Sequence, residues 1–301
     1  MDGYTLSHDV QELLNEDSTS GFIDDKFTYD CLFEAATQFA DLTGIIKKHT
    51  TLTTVDGQSE YNLPADFNRL YMRDSTKRLF VRLYDTSAYY WIYYKPYEDI
   101  ILENQTDEQE VPNDFAIIQK DALVDNVTGT ATSDGASTHG LAVLADTAAT
   151  FTTYVTVGDT IYNTTDGSRG IVTKATDATN ITTALFGGTN NDWTSADVYG
   201  IIPKPRMQMV FNPTPSTSGY SIEVWYIAKP EPVYSDYSQY NIDNAYRSAL
   251  AKYAAWLYKY RDREPNYGDK WYILFDSSVR RAIDSYRKQS GGFKMKMVLS
   301  R

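Results

Sequence analysis

Residues 241–288 carry the clearest structural signal in the chain: NIDNAYRSALAKYAAWLYKYRDREPNYGDKWYILFDSSVRRAIDSYRK. Apolar side chains recur every three or four positions in two runs, 246–260 and 271–286, which is typical of amphipathic helices. Pro265 and Gly268 lie between the runs and favour a turn, because proline has no N–H to donate and glycine tolerates positive φ. The stretch therefore predicts two antiparallel helices joined by a short loop.

Aspartates are placed to cap these helices. Asp243 precedes the first run and Asp269 the second, and an N-cap carboxylate accepts a hydrogen bond from a free backbone N–H. A further helix is predicted from about Asp25 to Thr43, capped by Asp24 or Asp25 and ended by Gly44.

The pattern changes to that of strands after Lys47. Residues 51–55 and 60–63 are rich in β-branched and apolar side chains, and Asp56-Gly57 between them predicts a turn. Residues 79–102 are dense in tyrosine and tryptophan and are compatible with a short helix followed by a strand, with no clear boundary.

Residues 127–199 differ in composition from the rest of the chain. They are rich in Thr, Ala, Gly and Asp, with Arg169 and Lys174 as the only Lys or Arg, and short β-type runs alternate with turns. This pattern predicts a small β-barrel or sandwich. Because aromatic strands precede and follow it, we expect a β-domain at 126–199 inserted into one parent domain, 1–125 and 200–290. The predicted fold class is α+β: a helical bundle with a small β-sheet parent domain, plus the inserted all-β module.

Composition restricts the function. The 301 residues have a formal net charge of -12, so binding nucleic acid over the whole surface is disfavoured by repulsion from phosphates. The single cysteine, Cys31, cannot form an internal disulfide, which fits a reducing compartment. No signal-peptide pattern opens the chain and no apolar run is long enough to span a bilayer, so we expect a soluble protein with no membrane partner.

The usual signatures of catalysis are absent from the sequence. His8, His49 and His139 are far apart and lack a second ligand at zinc spacing. No phosphate-binding glycine loop and no G-x-S-x-G motif occurs, and the acidic stretch 103–114 lacks the alternation of a calcium loop. We therefore expect a protein that is not an enzyme and uses no cofactor or metal.

The end of the chain alternates apolar and basic residues from Phe293 onward. This is the period of a strand that could add to the sheet edge of a partner, whereas a frayed terminus is the simpler interpretation. The predicted docking arm, 291–301, contains the following side chains: Phe293, Lys294, Met295, Lys296, Met297, Val298, Leu299 and Arg301.

Three stretches and the closing hairpin resemble the head-to-tail adaptor, or connector, proteins of tailed double-stranded DNA bacteriophages. The stretches are FADL at 39–42, TTVDGQSEYNLPADF at 53–67 and YSIEVWY at 220–226, and the hairpin is 244–283. The resemblance as a whole covers about two thirds of the chain and omits the Thr-rich block. None of these motifs is catalytic.

The resemblance implies a structural protein of the virion neck, which assembles in the host cytoplasm. Such adaptors form a ring, usually of twelve subunits, beneath the portal protein; the ring links capsid to tail or nozzle proteins and continues the channel for viral DNA. DNA would pass without sequence-specific binding, and the arm 291–301 would reach the portal. Aromatic residues of the hairpin would form the contacts between subunits: Tyr246, Tyr253, Trp256, Tyr260, Trp271 and Phe275.

An alternative is a tail or fibre-attachment protein. Its Thr-rich β-domain would bind carbohydrate through Tyr154, Tyr162 and Trp193, although the same aromatic residues are compatible with a hydrophobic core. A cell-wall hydrolase is a third possibility and would need a general acid in a cleft.

Overall fold

A computed structural model describes residues 1–16, 23–73, 78–103, 109–261 and 265–289, with the backbone alone at 73, 78, 265–267 and 286–289. The chain divides into two compact units. Met1–Ile45 and Asp236–Arg301 form one, here called the helical unit, and Ile46–Ser235 form the other, the sheet unit.

The helices and strands have the following bounds. The helices are α1 (Gly3–Leu14), α2 (Asp25–Thr43), α3 (Tyr97–Glu103), α4 (Phe151–Tyr154), α5 (Arg247–Arg261) and α6 (Pro265–Gln289). The strands are β1 (Lys47–Thr53), β2 (Glu60–Asn62), β3 (Phe67–Leu70), β4 (Met72–Arg73), β5 (Arg78–Leu79), β6 (Val81–Tyr84), β7 (Tyr89–Trp91), β8 (Tyr93–Tyr94), β9 (Gln109–Glu110), β10 (Asp114–Lys120), β11 (Val127–Thr130), β12 (Ser137–Thr138), β13 (Leu141–Ala145), β14 (Thr160–Asn163), β15 (Ser168–Ala175), β16 (Asn180–Phe186), β17 (Val198–Ile202), β18 (Arg206–Asn212), β19 (Thr214–Pro215) and β20 (Ser221–Ala228).

The helices of the helical unit begin and end close to the residues that the sequence predicts, with one exception. Asp24 accepts a hydrogen bond from the Phe27 N–H at 2.7 Å, and Gly44 ends α2 in the left-handed conformation, so the predicted bounds of this helix are confirmed. Asp243 accepts from the Ala245 N–H at 2.8 Å, at a short 3-10 turn that precedes α5. The exception is α6, which begins at Pro265 and not after Asp269, because proline fits the first turn of a helix.

The core of the helical unit surrounds α5. This helix packs against α1, α2 and α6, and the predicted α5–α6 hairpin is confirmed. The three-and-four spacing in 246–260 predicts one buried side of α5. The buried part of the helix is wider, since α5 also buries Ala251, Ala255 and Tyr258. The Tyr258 hydroxyl lies 2.7 Å from Thr28 Oγ1 and donates to the Asp24 carbonyl at 3.0 Å, which connects α5 to the start of α2.

The sheet unit contains three larger sheets. Strands β1, β20, β6 and β7 form one in that order, with β3 also paired to β20, and β2, β18, β10 and β8 form the second. The third is antiparallel, has the order β11-β17-β14-β15-β16-β13-β12, and is here called the seven-stranded sheet, 127–202. In β20, Ile222, Val224 and Tyr226 are buried while Trp225 lies on the opposite face, as the alternation predicts.

The seven-stranded sheet has its own hydrophobic core. Phe151, Trp193 and Tyr199 are the largest side chains in it. Trp193 Nε1 donates to Thr183 Oγ1 at 2.9 Å, and the Tyr199 hydroxyl donates to Asp146 at 2.8 Å. Both polar groups of these aromatic residues are therefore satisfied within the core.

The predicted fold class is wrong. Of the described residues, 34% lie in strands and 30% in helices, and the strands form several sheets in place of a helical bundle with an inserted module. The sequence prediction gave too much weight to long helices, because many strands here have two to four residues and too few positions to show alternation. Residues 79–102 form strands followed by the start of α3, the reverse of the order considered above. The division into a parent domain and an inserted domain stays a prediction.

Candidate interaction surfaces

The α5–α6 hairpin places the six predicted interface residues in three different environments. Tyr253 and Phe275 lie in the core of the helical unit, with 6% and 2% of their surface exposed. Tyr246, Trp256 and Trp271 are half-buried, and Tyr260 is 62% exposed. Tyr253 and Phe275 are therefore occupied by packing within their own chain, whereas Tyr260 is accessible. The assignment of these residues to subunit contacts stays a prediction.

Exposed apolar residues of α6 extend this accessible surface. Tyr272, Ile273 and Leu274 are all exposed, Ile273 at 66%. Together with Tyr260 they are here called the hairpin face. Because consecutive helical residues point about 100° apart, these three side chains cover most of the part of α6 that does not bury Phe275, Val279 and Ala282.

A chain of tilted ring contacts connects the hairpin face to the core of the helical unit. The ring centroids of Phe275 and Tyr253 are 4.7 Å apart, and those of Tyr253 and Trp256 are 5.2 Å apart. Trp256 in turn contacts Tyr272 at 5.0 Å and Tyr260 at 5.7 Å. The exposed tyrosines are thus supported by buried neighbours, so binding a partner would cost less side-chain entropy than it would for isolated surface residues.

Two ionisable side chains in the core of the helical unit, Tyr253 and Cys31, have raised pKa values. Burial, with the nearby charge of Glu34, raises the pKa of Tyr253 to about 12. Burial also raises the pKa of Cys31 to about 12, with Asp30 and Glu34 adding to the effect. A thiol with so high a pKa is almost wholly protonated at neutral pH and is a poor nucleophile.

Sequence reasoning missed Tyr272 and Ile273. The three-and-four spacing in 271–286 selects Trp271, Leu274 and Phe275, and residues 272 and 273 do not belong to that stripe. Their apolar character at positions outside the stripe was the signal available in the sequence.

The aromatic residues proposed for carbohydrate binding do not form an exposed platform. Trp193 is fully buried in the core of the seven-stranded sheet, and Tyr154 and Tyr162 are half-buried. Core packing, the simpler interpretation, is confirmed for Trp193. The predicted docking arm 291–301 lies outside the described residues.

The three histidines occupy separate positions. His8 lies 3.4 Å from Glu12 on α1, His49 packs against the ring of Trp225, and His139 is in a loop of the seven-stranded sheet. No cluster of His, Cys, Asp and Glu that could hold a metal occurs among the described residues. Within the same residues, no helix combines the length and apolar character needed to cross a membrane.

Comparisons with known proteins add no assignment. Neither a family model nor a curated protein matches the chain. The resemblance to phage adaptors stays a prediction that rests on the quoted stretches.

Proposed function

We propose that the chain is a structural virion protein, a head-to-tail adaptor that assembles into a ring beneath a portal protein. The observation that carries the proposal is the pair Tyr260 and Tyr272 on the hairpin face, two exposed rings that both contact Trp256. Ile273 and Leu274 add exposed apolar area at the next positions of α6. Contiguous exposed apolar surface is typical of protein–protein interaction sites.

Self-association through this face suits a closed ring. In a ring each subunit presents one surface to the next and receives a different one, which is a heterologous contact that closes when the rotation is right. The aromatic residues of the hairpin supply large contact area, and aromatic side chains are enriched in interfaces of this kind. The portal, the tail-side proteins and the passage of DNA follow from the adaptor resemblance and belong to the same proposal.

Native mass spectrometry of the full chain, with and without a portal protein, tests the proposal. We expect a ring, and we expect Ile273→Lys to shift the population towards monomer, because a charge in an apolar contact must be desolvated. Leu123→Lys is the matched control, since Leu123 is an exposed leucine of the sheet unit, and it should leave the ring intact. A wild-type chain that stays monomeric with the portal present would contradict the proposal.

A chain truncated after Ser290 tests the arm separately. We expect this chain to form the ring but to lose binding to the portal. Retained binding would assign portal contact to another part of the molecule.

The burial of Trp193 argues against the carbohydrate-binding alternative. A sugar cannot stack on Trp193 unless the core of the seven-stranded sheet opens, because this ring has no exposed surface. No other observation favours a glycan site on this sheet.

A further inference from the structure

A small recess in the sheet unit is lined by three cationic side chains. Its volume is about 80 Å3. The cations are Lys204, Arg206 and Lys229, and the other lining residues are Leu63, Pro64, Ala65, Phe67, Thr156, Pro205 and Met207. Two of the cations lie at the junction between β17 and β18, and the third follows β20. The concentration is notable in a chain of net charge -12.

None of the three cations is neutralised by a carboxylate within ion-pair distance among the described residues. Lys204 Nζ donates to the Val157 carbonyl at 2.6 Å, and Arg206 Nη2 donates to the Thr153 carbonyl at 3.3 Å. These contacts fix the position of the cationic groups but leave other N–H donors available, since an ammonium has three and a guanidinium five.

The carboxylates nearby have their own partners. Asp66 accepts from Lys48 Nζ at 2.7 Å and from the Tyr226 hydroxyl at 3.0 Å. Asp159 is buried and accepts from the Thr156 N–H at 2.7 Å and from the Lys204 backbone N–H at 3.2 Å. Glu231 lies 3.7 Å from Lys48. The charges of Lys204, Arg206 and Lys229 therefore remain only partly compensated.

The environment of Lys204 reflects this imbalance. Burial lowers the pKa of its ammonium, and the positive charges of Lys229 and Arg206 lower it further, while Asp159 and Asp66 act in the opposite direction. An anion in the recess would relieve the repulsion among the three cations.

The backbone holds the recess in place before any ligand binds. Pro203 and Pro205 flank Lys204, and Pro230 follows Lys229, so the φ angles on these segments are restricted. The loop 157–158 closes over Lys204, because a Cβ at Gly158 would lie 2.8 Å from Nζ. Such preorganisation lowers the entropic cost of binding.

We propose that this recess binds one phosphoryl group. Two lysines and one arginine match the charge and the several acceptor oxygens of a phosphate better than those of a single carboxylate, which one arginine can satisfy. Pockets that enclose drug-sized ligands measure roughly 300–1,000 Å3, so this recess admits a phosphate but not a nucleoside. The phosphoryl group would belong either to free phosphate or to the backbone of nucleic acid. Binding at this recess does not require that the chain assembles into the proposed ring.

Isothermal titration calorimetry of the full chain with inorganic phosphate at low ionic strength tests the site. We expect Lys229→Gln and Arg206→Gln each to weaken binding about tenfold, the loss expected for one charge-assisted hydrogen bond. Lys174→Gln on the exposed side of β15 removes the same charge from the sheet unit outside the recess and should have no effect. Circular dichroism checks that the three variants are folded.

Titration with a short DNA duplex separates the two sources. If nucleic acid supplies the phosphate, Lys229→Gln lowers DNA affinity and decreases the slope of log K against log salt by about one. If free phosphate is the ligand, the variants change phosphate binding alone.

Three results would overturn the proposal. The first is a wild-type chain that gives no heat with phosphate, and the second is an equal loss in Lys174→Gln. The third is tighter binding of acetate than of phosphate, which would assign the recess to a carboxylate of a protein partner.

Discussion

The seven-stranded sheet and the helical unit differ in how many of their aromatic residues they expose. The sheet buries its largest ones, Phe151, Trp193 and Tyr199, and joins two of them to internal hydrogen-bond partners. The helical unit also buries aromatic residues, among them Tyr258 and Phe275, but it exposes four others: Tyr4, Tyr237, Tyr260 and Tyr272. The difference indicates that the sheet packs its large aromatic residues within the chain, whereas the helical unit keeps some of them available to a partner.

Polar contacts follow the same division. In the seven-stranded sheet the Asp166 carboxylate accepts from the N–H groups of Thr189, Asn190 and Asn191, so a loop without regular structure has its donors satisfied. On the hairpin face the exposed side chains are two aromatic and two aliphatic ones, which offer mainly apolar area. The four predictions below test this contrast, beginning with the largest expected effect.

Trp193→Ala should destabilise the seven-stranded sheet by about 3–5 kcal/mol, because it leaves a large cavity and removes the partner of Thr183 Oγ1. Hydrogen exchange followed by mass spectrometry should show faster exchange in peptides from 127–202, with peptides of α5 unchanged. Val198→Ala on the exposed side of β17 is the control. Equal acceleration in α5 would show that the two regions unfold together.

Tyr199→Phe should cost about 1–3 kcal/mol, because it leaves the buried Asp146 carboxylate without one of its donors. The variant keeps the ring and therefore isolates the hydrogen bond from packing. Urea denaturation of the full chain measures the loss. A change below 0.5 kcal/mol would contradict the prediction, because that is the size expected of an ordinary surface substitution.

Alkaline pH should destabilise the helical unit. The folded pKa of Tyr253 is raised to about 12 from an ordinary value of 10.0, and that of Cys31 to about 12 from 9.0. Because these values exceed those of the unfolded chain, their contribution to stability is fully present below pH 9 and is lost as the pH rises to 12.

Circular dichroism of the helices between pH 9 and 12 measures this loss. Tyr253→Phe removes one ionising group and should move the loss of helical signal to higher pH. An unchanged midpoint would show that the phenol of Tyr253 is not the group that titrates.

Ile273→Lys should change the stability of the isolated subunit by less than about 0.5 kcal/mol, the smallest effect in this series, because the side chain is exposed. Its effect on assembly should be much larger. Denaturation at a protein concentration where the wild type is monomeric measures the first quantity. A large loss of stability there would place Ile273 in the fold of its own chain.

The sequence predicts individual elements better than it predicts their pairing. The α2 bounds and the α5–α6 hairpin follow from local signals, the Asp24 cap, Gly44 and the three-and-four spacing. The five-stranded sheet depends on pairs such as Thr53 with Ser221, which are far apart in the chain. Alternation identifies a strand but not its neighbour, so the pairing could not be predicted. The balance between helix and strand was wrong for another reason, because strands of two to four residues are too short to show alternation.

The candidate surface shows the same limit. Tyr260 is predicted as an interface residue because it is aromatic and lies on a helical stripe. The same is true of Tyr253 and Phe275, which are buried in the fold. Helical spacing cannot tell which side of α5 faces solvent when neighbours cover several of its sides. The recess around Lys204 was not predictable either, because Lys229 is brought to it by pairing between distant strands.

The register of β10 and β18 has an evolutionary consequence. Lys120 lies directly opposite Arg206, so the chain leaves and re-enters this antiparallel pair at neighbouring points. Strands paired in this way can be closed by a turn of two residues. Gain or loss of the segment 121–205 at this point would therefore leave the register of β10 and β18 unchanged.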